Sequence, residues 1–198
     1  MGSTHRVMLS VCVVLLCFVS VSRSAPRPCE DLLRPLSQLD LHRLEGRRAM
    51  VAGSLSHLPF MERLRSGHSA TARFSSNSNE TSITFKRSSF RSNDSCQYLT
   101  SNITLEGSSF AFEEYNITVT FLSTSCPDCA LMRFDDSSKK PLRMYLFSRR
   151  RELEEKEMEE FKAQAKCLNM HPPVLMDPTK ELCPEQITRG EKIQRQYA

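Results

Sequence analysis

Hydrophobic and polar positions alternate through the middle of this chain. Short runs rich in Val, Ile, Thr, Phe and Tyr recur between Ser/Asn/Gly clusters, at residues 49–56, 70–75, 82–87, 96–105, 110–114, 115–123, 130–134 and 142–148. Many alternate apolar with polar side chains, as half-buried strands do. Strands this short at such even spacing predict an all-β sandwich or barrel. The period then changes. Leu153, Met158, Phe161, Ala165 and Leu168 form a stripe on one helical face, which predicts a helix over 152–168 ended by Pro172 and Pro173. A strand-rich body followed by one amphipathic helix favours a barrel with that helix packed on its wall.

The N-terminus follows a different pattern. Arg6 precedes an apolar run over 7–21 that only Ser10 and Ser20 interrupt, with Cys12 and Cys17 inside it. Ser22 and Ser24 put small residues where a signal peptidase reads, so residues 1–24 are expected to be a signal peptide cut after Ser24. The run is short for a membrane span, which needs about 20 apolar residues. A secreted, soluble chain is expected; a retained leader would instead tether it to lipid. Residues 25–186 form the predicted domain, and 187–198, polar and containing Gly190, a flexible tail.

Composition excludes several classes. The formal charge is +4 and scattered. The one dense basic patch, Arg149-Arg150-Arg151, runs into Glu152, Glu154, Glu155 and Glu157, which suits the start of a helix. No basic stripe interleaved with aromatics is present, so no nucleic-acid partner is expected. His42, His57, His68 and His171 have no metal spacing and lie in no nucleophile motif. Neither an enzyme nor a metal or other cofactor is expected.

Six cysteines follow the leader: Cys29, Cys96, Cys126, Cys129, Cys167 and Cys183. An even count of this kind reads as a disulfide framework made in an oxidising compartment. Sequons at Asn79, Asn93, Asn102 and Asn116 agree with that route and predict a glycoprotein. They also assign faces. An outward Asn116 turns Tyr115, Ile117, Val119 and Phe121 inward, and an outward Asn102 turns Leu99, Ser101, Ile103 and Leu105 inward. Cys96 then shares the outer face, where it can tether a C-terminal tail. The Cys126-Pro-Asp-Cys129 motif has two readings, a structural staple or a redox-active pair. Redox pairs normally open a helix whose N-terminus lowers the thiol pKa. This pair precedes the strand-like Ala130–Phe134, which favours the staple.

Several segments resemble the lipocalin family, in particular apolipoprotein M and the orosomucoid-like lipocalins of fish that bind saxitoxin and tetrodotoxin. They are Phe121-Leu-Ser-Thr-Ser-Cys126-Pro, Leu142-Arg-Met-Tyr-Leu-Phe-Ser-Arg149, Glu155-Lys-Glu-Met-Glu-Glu-Phe-Lys162 and Cys167-Leu. The resemblance runs from Cys29 to about Cys183 and is weak between Phe60 and Phe90. It implies an eight-stranded up-and-down antiparallel barrel, a C-terminal helix and a ligand cup at the open end. Gly46 sits at the family's first-strand Gly-x-Trp motif, but Arg48 replaces the tryptophan, and the chain has none. Arg149 matches the arginine that packs across that tryptophan in the family. The base of the barrel must therefore close by other means. The resemblance implies Cys29–Cys167 and Cys96–Cys183 bonds. With Glu157 at the family's partner position for Cys126, it also implies Cys126–Cys129.

The same resemblance implies a ligand site. Apolipoprotein M carries sphingosine-1-phosphate using a last-strand arginine, flanking basic positions and a tryptophan. The arginine matches Arg143, on one face with Tyr145 and Phe147; the tryptophan falls on Ser101, and the basic positions on Leu99 and Glu114. Of the matched polar contacts only Arg143 survives, and Glu114 reverses a charge; a phosphate-headed lipid needs two or more donors to offset its desolvation, so sphingosine-1-phosphate itself is not the expected ligand. The other reading of Arg143 is a solvent-facing strand residue. Candidate ligand contacts are Arg143, Tyr145, Phe147, Leu99, Ser101, Ile117, Val119 and Phe121, the last three also serving as barrel core. The expected function is transport of a small hydrophobic or amphipathic ligand. The alternatives are an orosomucoid-like plasma glycoprotein scavenging drugs, toxins or other xenobiotics, or a lipoprotein-associated or immune-modulating glycoprotein acting through its surface. The expected partner is one lipid or xenobiotic, with lipoprotein particles second, and the chain is expected to be a monomer.

Overall fold

The computed structural model describes residues 27–66, 69–76, 82–90 and 95–186. The expected leader, the sequons at Asn79 and Asn93 and the expected tail over 187–198 lie outside the described residues. Eight antiparallel strands follow in chain order: β1 Gly46–Leu55, β2 Ala70–Ser76, β3 Ser82–Phe90, β4 Cys96–Thr104, β5 Ser109–Phe112, β6 Ile117–Leu122, β7 Cys129–Asp135 and β8 Pro141–Ser148. Each pairs with its neighbour in sequence except β4 with β5, and β1 pairs with β8, giving the order β4-β3-β2-β1-β8-β7-β6-β5. The barrel is nearly closed; β4 and β5 approach across the remaining seam. The strands begin and end within a few residues of the alternating segments. Sequence pattern and hydrogen-bond ladder agree because one face of every strand is buried.

Two apolar layers hold the fold. Inward residues form one cluster that includes Met50, Phe74, Ile83, Phe85, Val119, Phe121, Met132 and Phe147. The outer faces of β1, β7 and β8 form a second, where Val51, Ala52, Leu131, Met144 and Leu146 meet Met158, Phe161 and Ala165 of helix α4 (Glu155–Cys167). β1 is thus buried on both faces over most of its length. Beyond Ala49 its pairing with β2 ends, and a two-residue strand β9, Val174–Leu175, takes the edge at Ala52 and Gly53.

The helix stops earlier than the prolines predict. Asn169 adopts the left-handed conformation (φ 53°), Met170 N–H donates to Ala165 O at 3.1 Å and Asn169 N–H to Lys166 O at 3.0 Å. This pair of backward bonds is a Schellman closure, so Asn169 ends α4 and the prolines shape the strand approach. Its start is fixed by Glu157, whose carboxylate accepts from Glu154 N–H at 2.9 Å, a reciprocal cap of the kind acids provide in a first turn.

Among the described residues three short helices precede or interrupt the barrel. α1 (Cys29–Leu32) packs on the C-terminal half of α4, to which Cys29 is bonded, and α2 (Leu41–Leu44) leads into β1 at the closed end, capped by Asp40, which accepts from His42 N–H and Arg43 N–H. α3 (Leu58–Arg65) fills the β1–β2 connection at the open end and buries Met61 and Leu64. Tyr115 departs from the inward placement predicted for it. It ends a 3-10 turn, Glu113–Tyr115, rather than entering β6, and is exposed at the rim. Three disulfides join Cys29 to Cys167, Cys96 to Cys183 and Cys126 to Cys129. The second straps the tail segment across the outer faces of β2 to β4, where Glu185 pairs with Arg73 at 2.9 Å and Arg47 at 3.8 Å. Among the described residues no helix is long and apolar enough to cross a membrane.

Candidate functional site: an aromatic cup with two unpaired arginines

The lower half of the barrel is solid. Phe74, Phe85, Phe110 and Phe121 stack in tilted and edge-on pairs with centroids 5.2–6.4 Å apart, distances at which aromatic quadrupoles attract. Val119 and Phe121 belong to this filling and are fully buried, so they support the cup from below rather than line it.

Above them lies a cavity of about 340 Å³. Phe85, Phe112, Ile117 and Phe147 form its floor and apolar wall, with Phe134, Tyr145, Leu99 and Tyr115 toward the rim. β3 to β8 each contribute through inward positions of the alternation. Of the sequence candidates, Arg143, Tyr145, Phe147, Leu99 and Ile117 meet here. Ser101 does not; it is half-buried opposite Phe85 on β4. Glu114, matched to a basic position, is exposed on the rim turn.

The charge at this site is unexpected. Arg87, inward on β3 after Ile83 and Phe85, joins Arg143 in the wall of the cup. Arg143 Cζ lies 4.7 Å from the Phe134 ring centroid, and Arg87 Cζ 5.9 Å from that of Tyr145. Both Nε atoms are buried without a hydrogen-bond partner. Neither guanidinium pairs with a carboxylate among the described residues. Burial pushes the Arg87 pKa down; the Tyr145 hydroxyl opposes this and Arg143 adds to it. Arginine keeps its proton even so. Two half-buried cations over aromatic faces, without a counter-charge among the described residues, form a site for an anion. Arg87 lies in the stretch where the family resemblance is weak. The signal available for it was Ile83, Phe85 and Arg87 on one face of a strand.

The rim is partly roofed by α3. Leu64 reaches over Gly53 and Tyr145, and a Cβ on Gly53 would stand 2.8 Å from Leu64 Cδ2. A glycine lets helix and strand approach here.

At the closed end Arg48 occupies the tryptophan position and is buried. It donates to the carbonyls of Arg43 and Leu44, to Glu45 O at 3.3 Å and to Asp128 O at 3.3 Å. Its pKa is pushed down to about 10 by burial and by neighbouring Arg149, against the pull of Asp128. Backbone carbonyls, not a carboxylate, therefore accommodate the two arginines. Beside them, Cys126, Asp128 and Cys129 form the metal-like cluster found among the described residues, but its two sulfurs are bonded to each other.

Residues 102–186 match the model of the ApoM domain family. No curated protein matches the chain. Among solved structures, the siderocalin Ex-FABP, described as functioning through dual ligand specificities, is 18% identical with a TM-score of 0.60, over 74% of this chain and 99% of that one. The siderocalin Q83, described as revealing a dual ligand binding mode, is 18% identical with a TM-score of 0.61, over 73% of this chain and 95% of that one. At such identity the likeness is one of fold.

Proposed function

We propose that this chain, a lipocalin of the apolipoprotein M-like kind, carries an amphipathic ligand whose tail fills the aromatic cup and whose anionic head meets Arg87 and Arg143. The observation that carries this reading is the pair of unpaired guanidiniums set in an otherwise apolar cavity. A cup near 340 Å³ falls in the range of small-molecule sites, and such sites combine apolar walls with a few placed polar groups. Two guanidiniums on different strands supply two sets of forked N–H groups and two positive charges to a phosphate or carboxylate head. The second arginine restores the donor count that the matched positions lack, from a different strand.

The chain acts by binding, outside the cell, as a plasma-type carrier. Three disulfides support an oxidising compartment, and the sequon residues Asn102 and Asn116 are exposed and open to glycosylation. The test is native mass spectrometry of the protein secreted from cells, followed by organic extraction. An acidic amphipath in near one-to-one amount is expected. A correctly oxidised preparation that retains nothing and binds none of a broad lipid and drug panel would sink the carrier reading. Binding of neutral xenobiotics in preference to acidic lipids would favour the scavenger.

A further inference from the structure

We propose that the Cys126–Cys129 bond is an exchange-active disulfide that accepts thiols at Cys129, with Arg150 holding the departing Cys126 thiolate. As a staple this bond does least of the three. It closes a sequence separation of 3, against 87 and 138 for the others, and a short loop constrains the unfolded chain little. Its surroundings are those of a reactive site. Both cysteines line a closed-end cavity of about 190 Å³ whose wall includes the exposed Gln38, Asp40 and Arg43, so a small thiol reaches them from solvent. Cys126 is buried and Cys129 half-buried, which directs attack to the Cys129 sulfur.

Redox pairs elsewhere use a helix N-terminus to stabilise the thiolate. Here the motif leads into β7, and a side chain takes that role: Arg150 Nη2 lies 3.2 Å from Cys126 Sγ. The cation is held in place by Asp128 at 2.9 Å and Glu157 at 2.7 Å, with Glu154 at 3.9 Å. Asp128 Oδ1 lies 3.2 Å from the same sulfur and accepts its proton whenever Cys126 is a thiol. Either reduced form therefore has a partner already in place.

The step balances with one external thiolate. Its sulfur bonds to Cys129 Sγ, the Cys126–Cys129 bond breaks, and the electron pair leaves on Cys126. Return attack by Cys126 expels the thiolate and restores the bond; a second external thiol instead completes reduction and leaves as a disulfide. The competing Cys29–Cys167 bond is more exposed at Cys29, but attack there expels Cys167 at the C-terminus of α4, where the helix dipole opposes negative charge. Reduction would also free the turn carrying Asp128, which receives Ser148 Oγ at 3.0 Å and, through its carbonyl, Arg48 Nε at 3.3 Å. The base of the barrel and the start of α4 are thereby linked to the redox state of one bond.

The test is stepwise reduction of the oxidised full-length secreted protein with glutathione and, separately, with a thioredoxin-type dithiol protein. Free thiols are trapped by alkylation and located by peptide mass spectrometry. Cys126 and Cys129 should become labelled before the other four by at least about an order of magnitude in rate, with the glutathione adduct on Cys129. Labelling of these two last, or together with the rest, overturns the proposal. Arg150→Gln should slow this exchange by a similar factor, since it leaves Asp128, Glu157 and Glu154 around the sulfur without their cation. Arg150→Lys should restore the rate, and an unchanged rate in Arg150→Gln overturns the role of Arg150. Reaction with the dithiol protein alone identifies a protein partner; reaction with both identifies a general thiol site.

Discussion

Arg48 and Arg149 donate to the same two carbonyl oxygens. Arg149 Nη2 lies 3.2 Å from Arg43 O and 3.0 Å from Glu45 O, and Arg48 reaches both as well. Two like charges side by side are tolerated because the end of α2 presents its unsatisfied carbonyls to them. The barrel's base is closed by backbone dipoles.

Arg48→Met should therefore destabilise the fold even though it removes a buried charge. It strands carbonyls at Leu44 and Asp128, while Arg43 O keeps Arg149 as donor, and a buried acceptor without a partner costs roughly 1–3 kcal/mol. Relief of the desolvation that depresses the Arg48 pKa offsets part of this. Denaturant unfolding of the two proteins checks the sign. A variant more stable than the parent would show that the carbonyls find other donors.

Arg143→Leu and Arg87→Leu should each weaken an acidic amphipath by roughly tenfold or more, since a charge-assisted contact contributes about 1.5–3 kcal/mol. A neutral analogue of the same tail should bind about as well as before. Isothermal titration with the acidic and neutral members of one pair reads the difference. Equal losses for both would mean that the arginines shape the cup without recognising charge.

Glu160 should give the fold an acid limit. Burial pushes its carboxyl pKa up, but hydrogen bonds from Ser125 and pairing with Arg27 outweigh this, so the net shift is downward from 4.5. A group whose folded pKa is depressed contributes stability that is complete above the unfolded value and lost as pH falls through the folded one. The wild-type protein should lose stability as pH drops below about 4.5. Glu160→Gln should start lower at pH 7 and show a shallower fall. Parallel melting curves from pH 7 to pH 3 would settle it; superimposable slopes would remove Glu160 as the cause.

Gly53→Ala should loosen the roof more than the barrel. The new Cβ meets Leu64 Cδ2 at 2.8 Å and Tyr145 Cδ1 at 3.2 Å. Leu64 yields by its flexible end, so the global cost should stay near about 1 kcal/mol, the low end for overpacking. Amide exchange across α3 should accelerate, and ligand uptake with it. Unchanged exchange in that helix would show that Tyr145 moves instead.

The barrel was legible in the chain because strand burial has period two and helix burial a period near 3.6. Ile117, Val119 and Phe121 point inward as their alternation says, and Met158, Phe161 and Ala165 face the wall as their stripe says. α3 escaped that reading. Leu58-Pro-Phe-Met-Glu-Arg-Leu-Arg is only about two turns long, and its apolar positions fit a loop as well as a helix. Tyr115 was misplaced because a 3-10 turn with a left-handed Asn116 (φ 49°) separates it from β6.

By itself the sequence determined the class of fold, the number of strands and the inward side of β4 and β6, since those follow from local pattern and the cost of exposing apolar surface. Only the tertiary structure decided which charges meet. Arg87 and Arg143 are far apart in the chain and come together because β3 and β8 curve toward each other across one cup. Arg48 and Arg149 share carbonyls because the chain end entering β1 and the one leaving β8 meet at the base. Which cations find counter-charges, and which are left for a ligand, depends on register and closure, and no local period encodes either.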